Sequence, residues 1–332
     1  MIKYDVYKGV QKVKTQTQKI SARFSALLMG SVTLLAFAFA PAGALPSVIY
    51  NNIPNPTPGN LPSEAFEAQT VSEFGGQVQF TGTLRNNPTV TVLMSSWGCQ
   101  TGHWFSNDCA TTSGATFSVP VTLKVYNVGA SNAPGTVVAS QTQTFNIPYR
   151  PSANHVNCTG GDAGKWFDGT TCFNGFATPI SFNLSGVTLP NNAIISVAYN
   201  TTHYGYVPIG ESAACFTSAG GCGYDSLNVA VASPPSVGTD PLPNDAYLNA
   251  QLVQTSSSNA GYCSPGAVNV FRLDTGCWAG NQPAIKVEVN APSKDDCKNN
   301  GWKSMTNPGP FKNQGDCVSF FATNGKNLPS GQ

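Results

Sequence analysis

Ten cysteines constrain this chain more than any other feature, because they fall into five close pairs along its length. No pair has the C-x2-C spacing of a zinc knuckle, so oxidation is favoured over metal binding. Connectivity cannot be deduced from spacing alone, but each pair brackets a stretch rich in glycine, asparagine or serine that is typical of a loop. Nearest-neighbour pairing is therefore predicted, giving the disulfides Cys99–Cys109, Cys158–Cys172, Cys215–Cys222, Cys263–Cys277 and Cys297–Cys317.

The chain opens with a segment that is typical of an export signal. Basic residues up to Arg23 precede an uncharged apolar run, 24–40, and small residues follow at Ala42 and Ala44. This pattern predicts a cleaved signal peptide over 1–44. The alternative is an uncleaved signal anchor, because the run is near the lower limit for spanning a bilayer, and it would be the one membrane attachment. Either way the rest of the chain is expected to be secreted or at the cell surface, where paired cysteines are oxidised.

The charge of the chain argues against a nucleic-acid partner. The first 44 residues carry six of the 17 basic residues but one of the 16 acidic residues, which leaves 11 basic and 15 acidic residues after the leader. A nucleic-acid binder would be expected to show a basic stripe, and this acidic body has none. Extracellular glycan or a surface protein is the expected partner.

The body of the chain shows short apolar runs with period two, separated by turn residues, which is the signal of β-strands. No stretch of the body shows a helical period, so the crossover helices of a parallel sheet are not expected. We predict an all-β fold: a single antiparallel, jelly-roll-like β-sandwich with disulfide-stapled loops. The nine predicted strands are Gly76–Thr83, Thr89–Ser95, Ser118–Val128, Thr136–Ile147, Thr178–Leu184, Ala193–Asn200, Ser226–Val231, Ala246–Leu252 and Ala284–Val289.

Composition suggests three parts after the leader. Residues 45–63 contain five prolines and form an extended lead-in, and the β-sandwich domain is predicted over 64–290. Residues 291–332 begin at a linker-like Ala-Pro-Ser and form a small C-terminal module. A segment this short cannot build a sufficient core alone, so the module is expected to depend on its disulfide.

Several segments resemble the "choice-of-anchor" group of bacterial secreted and surface β-sandwich proteins. In that group a strand ending in Leu-Tyr precedes a Pro-Gly turn and a further strand. The nearest positions here are Val125-Tyr126, Pro134-Gly135, Val137–Ala139 and Leu189–Tyr199, of which the last departs from the group's spacing. The resemblance implies a β-sandwich in an extracellular protein and brings no catalytic residue.

The C-terminal letters, CKNNGWKSMTNPGPFKNQGDCVSFFATNGKN, are similar to a short Cys-Trp and FKNQGDCVSF module found at the ends of secreted bacterial proteins. This resemblance implies no function.

Catalytic motifs are weak throughout the sequence. The chain has three histidines and no G-x-S-x-G elbow, so a nucleophilic triad is not supported and no enzyme activity is predicted. An extracellular glycosidase stays open as an alternative, because two carboxyl groups from different loops could meet across a glycosidic bond. The loop candidates are Asp108, Asp162, Asp168, Glu211, Asp225 and Asp274.

Metal binding is not predicted as a function, and no cofactor is expected. Zinc would need His103, His155 and His203 to converge from three loops. Structural calcium is the better motivated alternative, because the loops 160–169 and 236–245 supply oxygen ligands. Neither loop matches the EF-hand pattern, and ordinary turn hydrogen bonds explain the same aspartates.

Aromatic residues in or beside the stapled loops form the candidate ligand-binding set. Exposed rings with polar neighbours would provide a stacking platform for sugars, whereas a tryptophan packed on a disulfide would be buried. We predict a secreted or cell-surface, non-catalytic binding or adhesion protein whose ligand is a glycan. The alternatives are a structural envelope protein and an extracellular glycosidase. The candidate binding residues are Trp104, Trp166, Tyr204, Tyr206 and Trp278.

Overall fold

The structure is a computed structural model that describes residues 46–66, 71–104, 107–199, 227–251, 253, 261–290, 292–303, 305, 308–323 and 325–331. These residues form fourteen β-strands and one short α-helix, which confirms the predicted all-β fold. The strands are β1 (Ser47–Asn51), β2 (Ser63–Glu64), β3 (Val71–Gln79), β4 (Pro88–Ser96), β5 (Thr116–Val128), β6 (Pro134–Pro148), β7 (Trp166–Phe167), β8 (Cys172–Phe173), β9 (Phe176–Asn183), β10 (Asn192–Ala198), β11 (Leu227–Ala230), β12 (Asp245–Ala250), β13 (Arg272–Thr275) and β14 (Ile285–Val289).

The first sheet is organised around β4, which pairs with three other strands. Strand β9 lies along one edge of β4 from Thr89 to Ser96. The other edge is shared end to end, with β14 along the first half and β11 along the second half. Strands β1 and β2 then pair with β14 and β11, so this sheet has six antiparallel strands. The short strand β2 consequently lies at an outer edge of the sheet.

The second sheet also has six antiparallel strands, in the order β13-β12-β3-β10-β5-β6. Its long hairpin of β5 and β6 pairs from Thr116 with Pro148 to Val128 with Pro134. Strand β6 is therefore an edge strand, and β13 is the strand at the opposite edge.

The hydrophobic core lies between the two sheets. In β5 the alternate residues Val119, Val121, Leu123 and Val125 are fully buried, as the period-two pattern predicts. They belong to one continuous cluster that includes residues of both sheets and the Cys99–Cys109 disulfide. Close packing of such a cluster gives the sandwich a rigid framework on which the loops are held.

All nine predicted strands are present, with ends that differ by a few residues. The predicted lead-in differs in detail, because Ser47–Asn51 is a strand that pairs with β14. Its buried Ile49 and Tyr50 contribute to the main core. The lead-in is thus partly built into the sandwich.

The C-terminal segment has a small core of its own. Cys297 and Cys317 form a disulfide and are buried with Met305 and Phe311. Helix α1 (Gln314–Ala322) is capped by Asn313, whose side chain accepts a hydrogen bond from the backbone N–H of Asp316 at 2.9 Å. Among the described residues, no helix has the length and apolar character needed to cross a membrane.

Candidate functional site

Four of the five predicted disulfides are present, and the other pair, Cys215 and Cys222, lies outside the described residues. Disulfides persist in extracellular or otherwise oxidising compartments, so the bonds indicate such an environment. The four observed disulfides are Cys99–Cys109, Cys158–Cys172, Cys263–Cys277 and Cys297–Cys317.

Two of the five candidate binding residues are buried. Trp166 has 5% of its surface exposed and packs against Phe173 and Phe176, and its indole N–H donates to the carbonyl of Gly175 at 2.6 Å. Trp278 is 4% exposed. The ring of Trp278 lies 5.3 Å from that of Phe74 in β3, and both tryptophan rings are largely covered by protein.

The structure describes one of the other three candidates, Trp104. Trp104 is half-buried against the main core, and its ring meets the ring of Trp97 edge-on at 5.1 Å. Tyr204 and Tyr206 lie outside the described residues. Among the described aromatic residues there is no flat array of exposed rings, and the predicted stacking platform stays a prediction for Tyr204 and Tyr206.

The aspartates of the loop 160–169, one of the two calcium candidates, have partners within the protein. Asp162 forms an ion pair with Lys165 at 2.7 Å. Asp168 accepts hydrogen bonds from the backbone of Thr170 and Thr171, and these bonds lower the pKa of its carboxyl group. An ion pair and turn hydrogen bonds account for these two side chains. In the other loop, 236–245, Oδ1 of Asp240 accepts from the backbone N–H of Leu242, whereas its Oδ2 is buried without a partner in the described part of the chain. Structural calcium stays the alternative that the sequence left open.

A pocket beside the Cys263–Cys277 loop combines polar groups with an unsatisfied acid. Its volume is about 290 Å³, and it lies between β2 and this loop. We call it the Glu64 pocket, and its lining includes Ser63, Glu64, Val231, Cys263, Trp278 and Asn281. One residue of the predicted binding set, Trp278, thus contributes to the wall of a cavity.

Glu64 is the unusual residue of this pocket. It is 6% exposed, and its Oε1 atom is buried without a hydrogen-bond partner anywhere in the described part of the chain. Buried polar atoms nearly always have partners, and an unsatisfied one costs about 1–3 kcal/mol. An unpaired acid at the wall of a cavity is a candidate for contact with a ligand.

The protonation of Glu64 follows from its surroundings. Burial in the protein, and then repulsion from Asp274, raise the pKa of Glu64 to about 8. Burial and the nearby Glu64 also raise the pKa of Tyr199, whose hydroxyl donates to the carbonyl of Leu227. At neutral pH Glu64 is therefore mostly a neutral carboxylic acid, which can both donate and accept hydrogen bonds.

Asp274 has a different role, because its two oxygens are occupied by the loop itself. Oδ2 accepts from the backbone N–H of Cys263 and from the indole N–H of Trp278, each at 2.8 Å. Oδ1 accepts from the backbone N–H and hydroxyl of Ser264, and the guanidinium of Arg272 lies 3.6 Å away. Asp274 is fully buried, and its hydrogen bonds fix the positions of Cys263 and Trp278, which line the pocket.

The same loop offers no metal centre. Cys263, Asp274 and Cys277 lie close enough to hold an ion, but the two cysteines are bonded to each other. A disulfide provides no thiolate, so two of the three potential ligands are lost.

A larger groove lies on the outer side of the first sheet, beneath the proline-rich segment 53–59. Its volume is about 620 Å³, and Leu93 and Pro179 contribute to its floor. The hydroxyl of Thr91 bonds to that of Ser181, and Lys286 pairs with Glu288 at 2.9 Å. These polar groups at the groove already bond to one another or to neighbouring side chains. The groove therefore has fewer unpaired polar groups than the Glu64 pocket with which to orient a ligand.

Sequence reasoning found part of this site. It marked Asp274 as a loop acid and Trp278 as an aromatic beside a disulfide, but it did not identify Glu64. The spacing Asp274-x-x-x-Trp278 was an available signal for the bond between their side chains. Nothing in the letters around Glu64 indicates that it lies against that loop.

Comparisons with known proteins add no relative. No protein-family model, no curated protein and no solved structure matches this chain.

Proposed function

We propose that the protein is an extracellular, non-catalytic binding protein that holds a small hydroxyl-bearing ligand, such as a terminal sugar unit of a glycan, in the Glu64 pocket. The observation that carries the proposal is the buried Oε1 atom of Glu64, which has no hydrogen-bond partner among the described residues. Because Oε1 has almost no accessible surface, we expect the Glu64 side chain to shift slightly toward the pocket on binding. A ligand hydroxyl would then supply the missing partner and remove the cost of leaving the group unsatisfied.

The lining of the pocket suits a neutral polar ligand. Ser63 and Asn281 add donors and acceptors, and Val231 and the Cys263–Cys277 disulfide add apolar surface. The wall is more polar than that of most small-molecule sites, and its volume of about 290 Å³ is just below their usual range. These features favour one sugar unit over a long chain.

The protonation of Glu64 favours a hydroxyl over a cation. A bound cation would require the ionised carboxylate, whereas burial and Asp274 raise the pKa of Glu64 to about 8. The neutral acid can accept a hydrogen bond from one hydroxyl and donate one to another.

A glycosidase is less well supported by the same geometry. Hydrolysis needs a second carboxyl group that faces the scissile bond. Asp274 does not line the pocket, and four donors and Arg272 occupy its oxygens. Glu64 is the one acid among the described residues that line this pocket.

Two substitutions at Glu64 test the proposal. Glu64→Leu removes the carboxyl group. This variant is expected to remain folded, because an apolar side chain has no polar atom that would be buried without a hydrogen bond. Glu64→Gln keeps a neutral donor and acceptor. With a panel of neutral monosaccharides in ligand-observed NMR, we expect wild type and Glu64→Gln to bind at pH 6.5 and Glu64→Leu to lose binding.

Raising the pH should distinguish wild type from Glu64→Gln, the two proteins that are expected to bind at pH 6.5. At pH 9 wild type should lose most of its binding because Glu64 ionises and can no longer donate, while Glu64→Gln should retain it. Glu288→Leu is the matched control, since Glu288 pairs with Lys286 in β14 and should leave binding unchanged. Binding by Glu64→Leu equal to that of wild type, or no binding by wild type to any sugar, would overturn the proposal. Release of sugar from glycosides by wild type but not by Glu64→Gln would replace it with the glycosidase.

A further inference from the structure

Strand β6 (Pro134–Pro148) presents a long unpaired edge. It is the longest described strand, with 15 residues, and it has one neighbouring strand, β5. Most of its side chains are exposed or half-buried, and Val137 is 54% exposed. No described residue outside β5 pairs with the backbone of β6. The strand thus offers a free row of backbone groups.

The position of a proline identifies which backbone groups face outward. Pro120 of β5 lies opposite Thr144 and has no N–H to give to β6. Pro120 and Thr144 therefore form a non-hydrogen-bonded pair, in which the backbone N–H and C=O groups of each residue point away from the other strand. Side chains lie closer together in such pairs. The hydroxyls of Thr122 and Thr142, two positions along, agree with this because they lie 2.8 Å apart.

Since the pattern alternates, the backbone groups of every second residue of β6 point to the free edge. These residues are Ser140, Thr142, Thr144 and Asn146. Each carries one N–H and one C=O that another strand could use.

The register irregularities of β6 lie between Pro134 and Ala139, and beyond them the segment Ser140–Asn146 lacks the usual protection against pairing. Proteins normally guard an exposed edge strand with charged residues, inner prolines or a short length. Residues 125–149 contain no charged residue, and the prolines of β6 are at its two ends. Two such strands could approach without electrostatic repulsion.

The middle of β6, Ser140–Thr144, reads nearly the same in both directions about Thr142. Gln141 and Gln143 flank it, followed by Ser140 and Thr144. In an antiparallel pair of two copies, Thr142 would face Thr142, each Gln141 would face Gln143, and each Ser140 would face Thr144. A two-fold interface requires this kind of self-complementarity.

We propose that β6 pairs antiparallel with β6 of a second copy of this chain, about a two-fold axis at Thr142, and joins the two six-stranded sheets into one. Main-chain hydrogen bonds from the outward residues supply the affinity, as in other cases of strand addition. The interaction is independent of the Glu64 pocket, which involves β2 and the Cys263–Cys277 loop.

A pair of lysine substitutions tests the edge. Thr142→Lys places two like charges directly opposite each other across the two-fold axis, and we expect association to weaken by about tenfold or more. Thr122→Lys is the matched control: it breaks the same hydroxyl contact, but its charges would be three strand spacings apart, about 14 Å, where salt screens them. Analytical ultracentrifugation of residues 45–332 measures both.

Hydrogen exchange tests whether the two copies pair through the free edge of β6. The amides of Thr142 and Thr144 should become protected as protein concentration rises, whereas those of Gln141 and Gln143, which bond to β5, should be protected at every concentration. A chain that stays monomeric at about 1 mM would overturn the proposal. So would equal weakening by both lysine variants, or exchange at Thr142 that does not depend on concentration.

Discussion

The loops closed by Cys158–Cys172 and Cys263–Cys277 are of equal length, with a sequence separation of 14 in each, but they differ in chemistry. A buried tryptophan accompanies each loop: Trp166 lies within the first, and Trp278 directly follows the second. In the first, the indole N–H of Trp166 donates to a neutral backbone carbonyl, that of Gly175. In the second, the indole N–H of Trp278 donates to the carboxyl group of Asp274.

This difference in acceptor separates a packed loop from a candidate site. A backbone carbonyl adds no negative charge, and both aspartates of the first loop, Asp162 and Asp168, are exposed, so this loop has no buried acid. The charged group buried against it is a cation, because the guanidinium of Arg150 donates to the carbonyl of Gly164 at 2.6 Å. The buried Asp274 places a negative charge near Glu64 and helps to keep it protonated. A disulfide and a tryptophan therefore hold a loop in place, and the buried acid gives one of the two loops its chemical character.

The largest expected effect comes from removing that charge. Asp274→Asn keeps the shape of the side chain but turns an NH₂ group toward hydrogen-bond donors, and it leaves Arg272 without its buried partner. We expect the free energy of unfolding to fall by about 3–5 kcal/mol, which is the usual cost of breaking a buried ion pair. Urea denaturation with the disulfides intact measures it.

The first loop supplies the matched control. Asp162→Asn removes an ion pair with Lys165 that has the aspartate side chain 55% exposed. Exposed pairs contribute little, so the cost should stay below about 1 kcal/mol. Similar costs for the two variants would mean that the buried charge does not distinguish the loops.

The strands could be predicted because apolar and polar residues alternate with period two in the sequence. Val119, Val121, Leu123 and Val125 show one buried face directly. Strand β1 was not predicted, since it is short and followed by several prolines. Helix α1 was also not predicted, although the pattern Asn313-x-x-Asp316 is a capping signal that could have marked its start.

The site could be predicted only in part, because it joins residues that are distant in the chain. The disulfide at Cys263–Cys277 indicated the loop, and composition indicated Trp278 and Asp274. The burial of Trp166 and Trp278 depends on tertiary packing that local sequence does not encode. Glu64 lies on a two-residue strand whose contact with the loop follows from the order of strands in the first sheet.

The second prediction concerns pH and tests the contribution of Glu64. A folded-state pKa of about 8, compared with an ordinary value of 4.5, means that folding favours the protonated acid. Stability from this group is fully present below the unfolded pKa and is lost as pH rises through the folded pKa. Between pH 6 and pH 9 the free energy of unfolding should therefore decrease by about 3 kcal/mol more in wild type than in Glu64→Gln.

Denaturation of both proteins at several pH values measures this difference, and other titrating groups cancel in the comparison. Asp274→Asn should reduce the pH dependence, because it removes the repulsion that helps to raise the pKa of Glu64. A curve for Glu64→Gln that is parallel to that of wild type would show that Glu64 is not buried as a neutral acid.

The smallest expected effect compares the two tryptophans directly. Trp166→Phe and Trp278→Phe remove an indole N–H from equally buried rings, at 5% and 4% exposure, so the change in packing is similar. Loss of a bond to a neutral carbonyl should contribute about 1 kcal/mol, whereas loss of a bond to a carboxylate should contribute about 1.5–3 kcal/mol. Trp278→Phe should consequently be the more destabilising by about 1 kcal/mol in urea denaturation at neutral pH. Combining Trp278→Phe with Asp274→Asn should remove that extra cost, because the carboxylate no longer needs the donor. An extra cost that persists in the double variant would assign the difference between the loops to packing around Trp278.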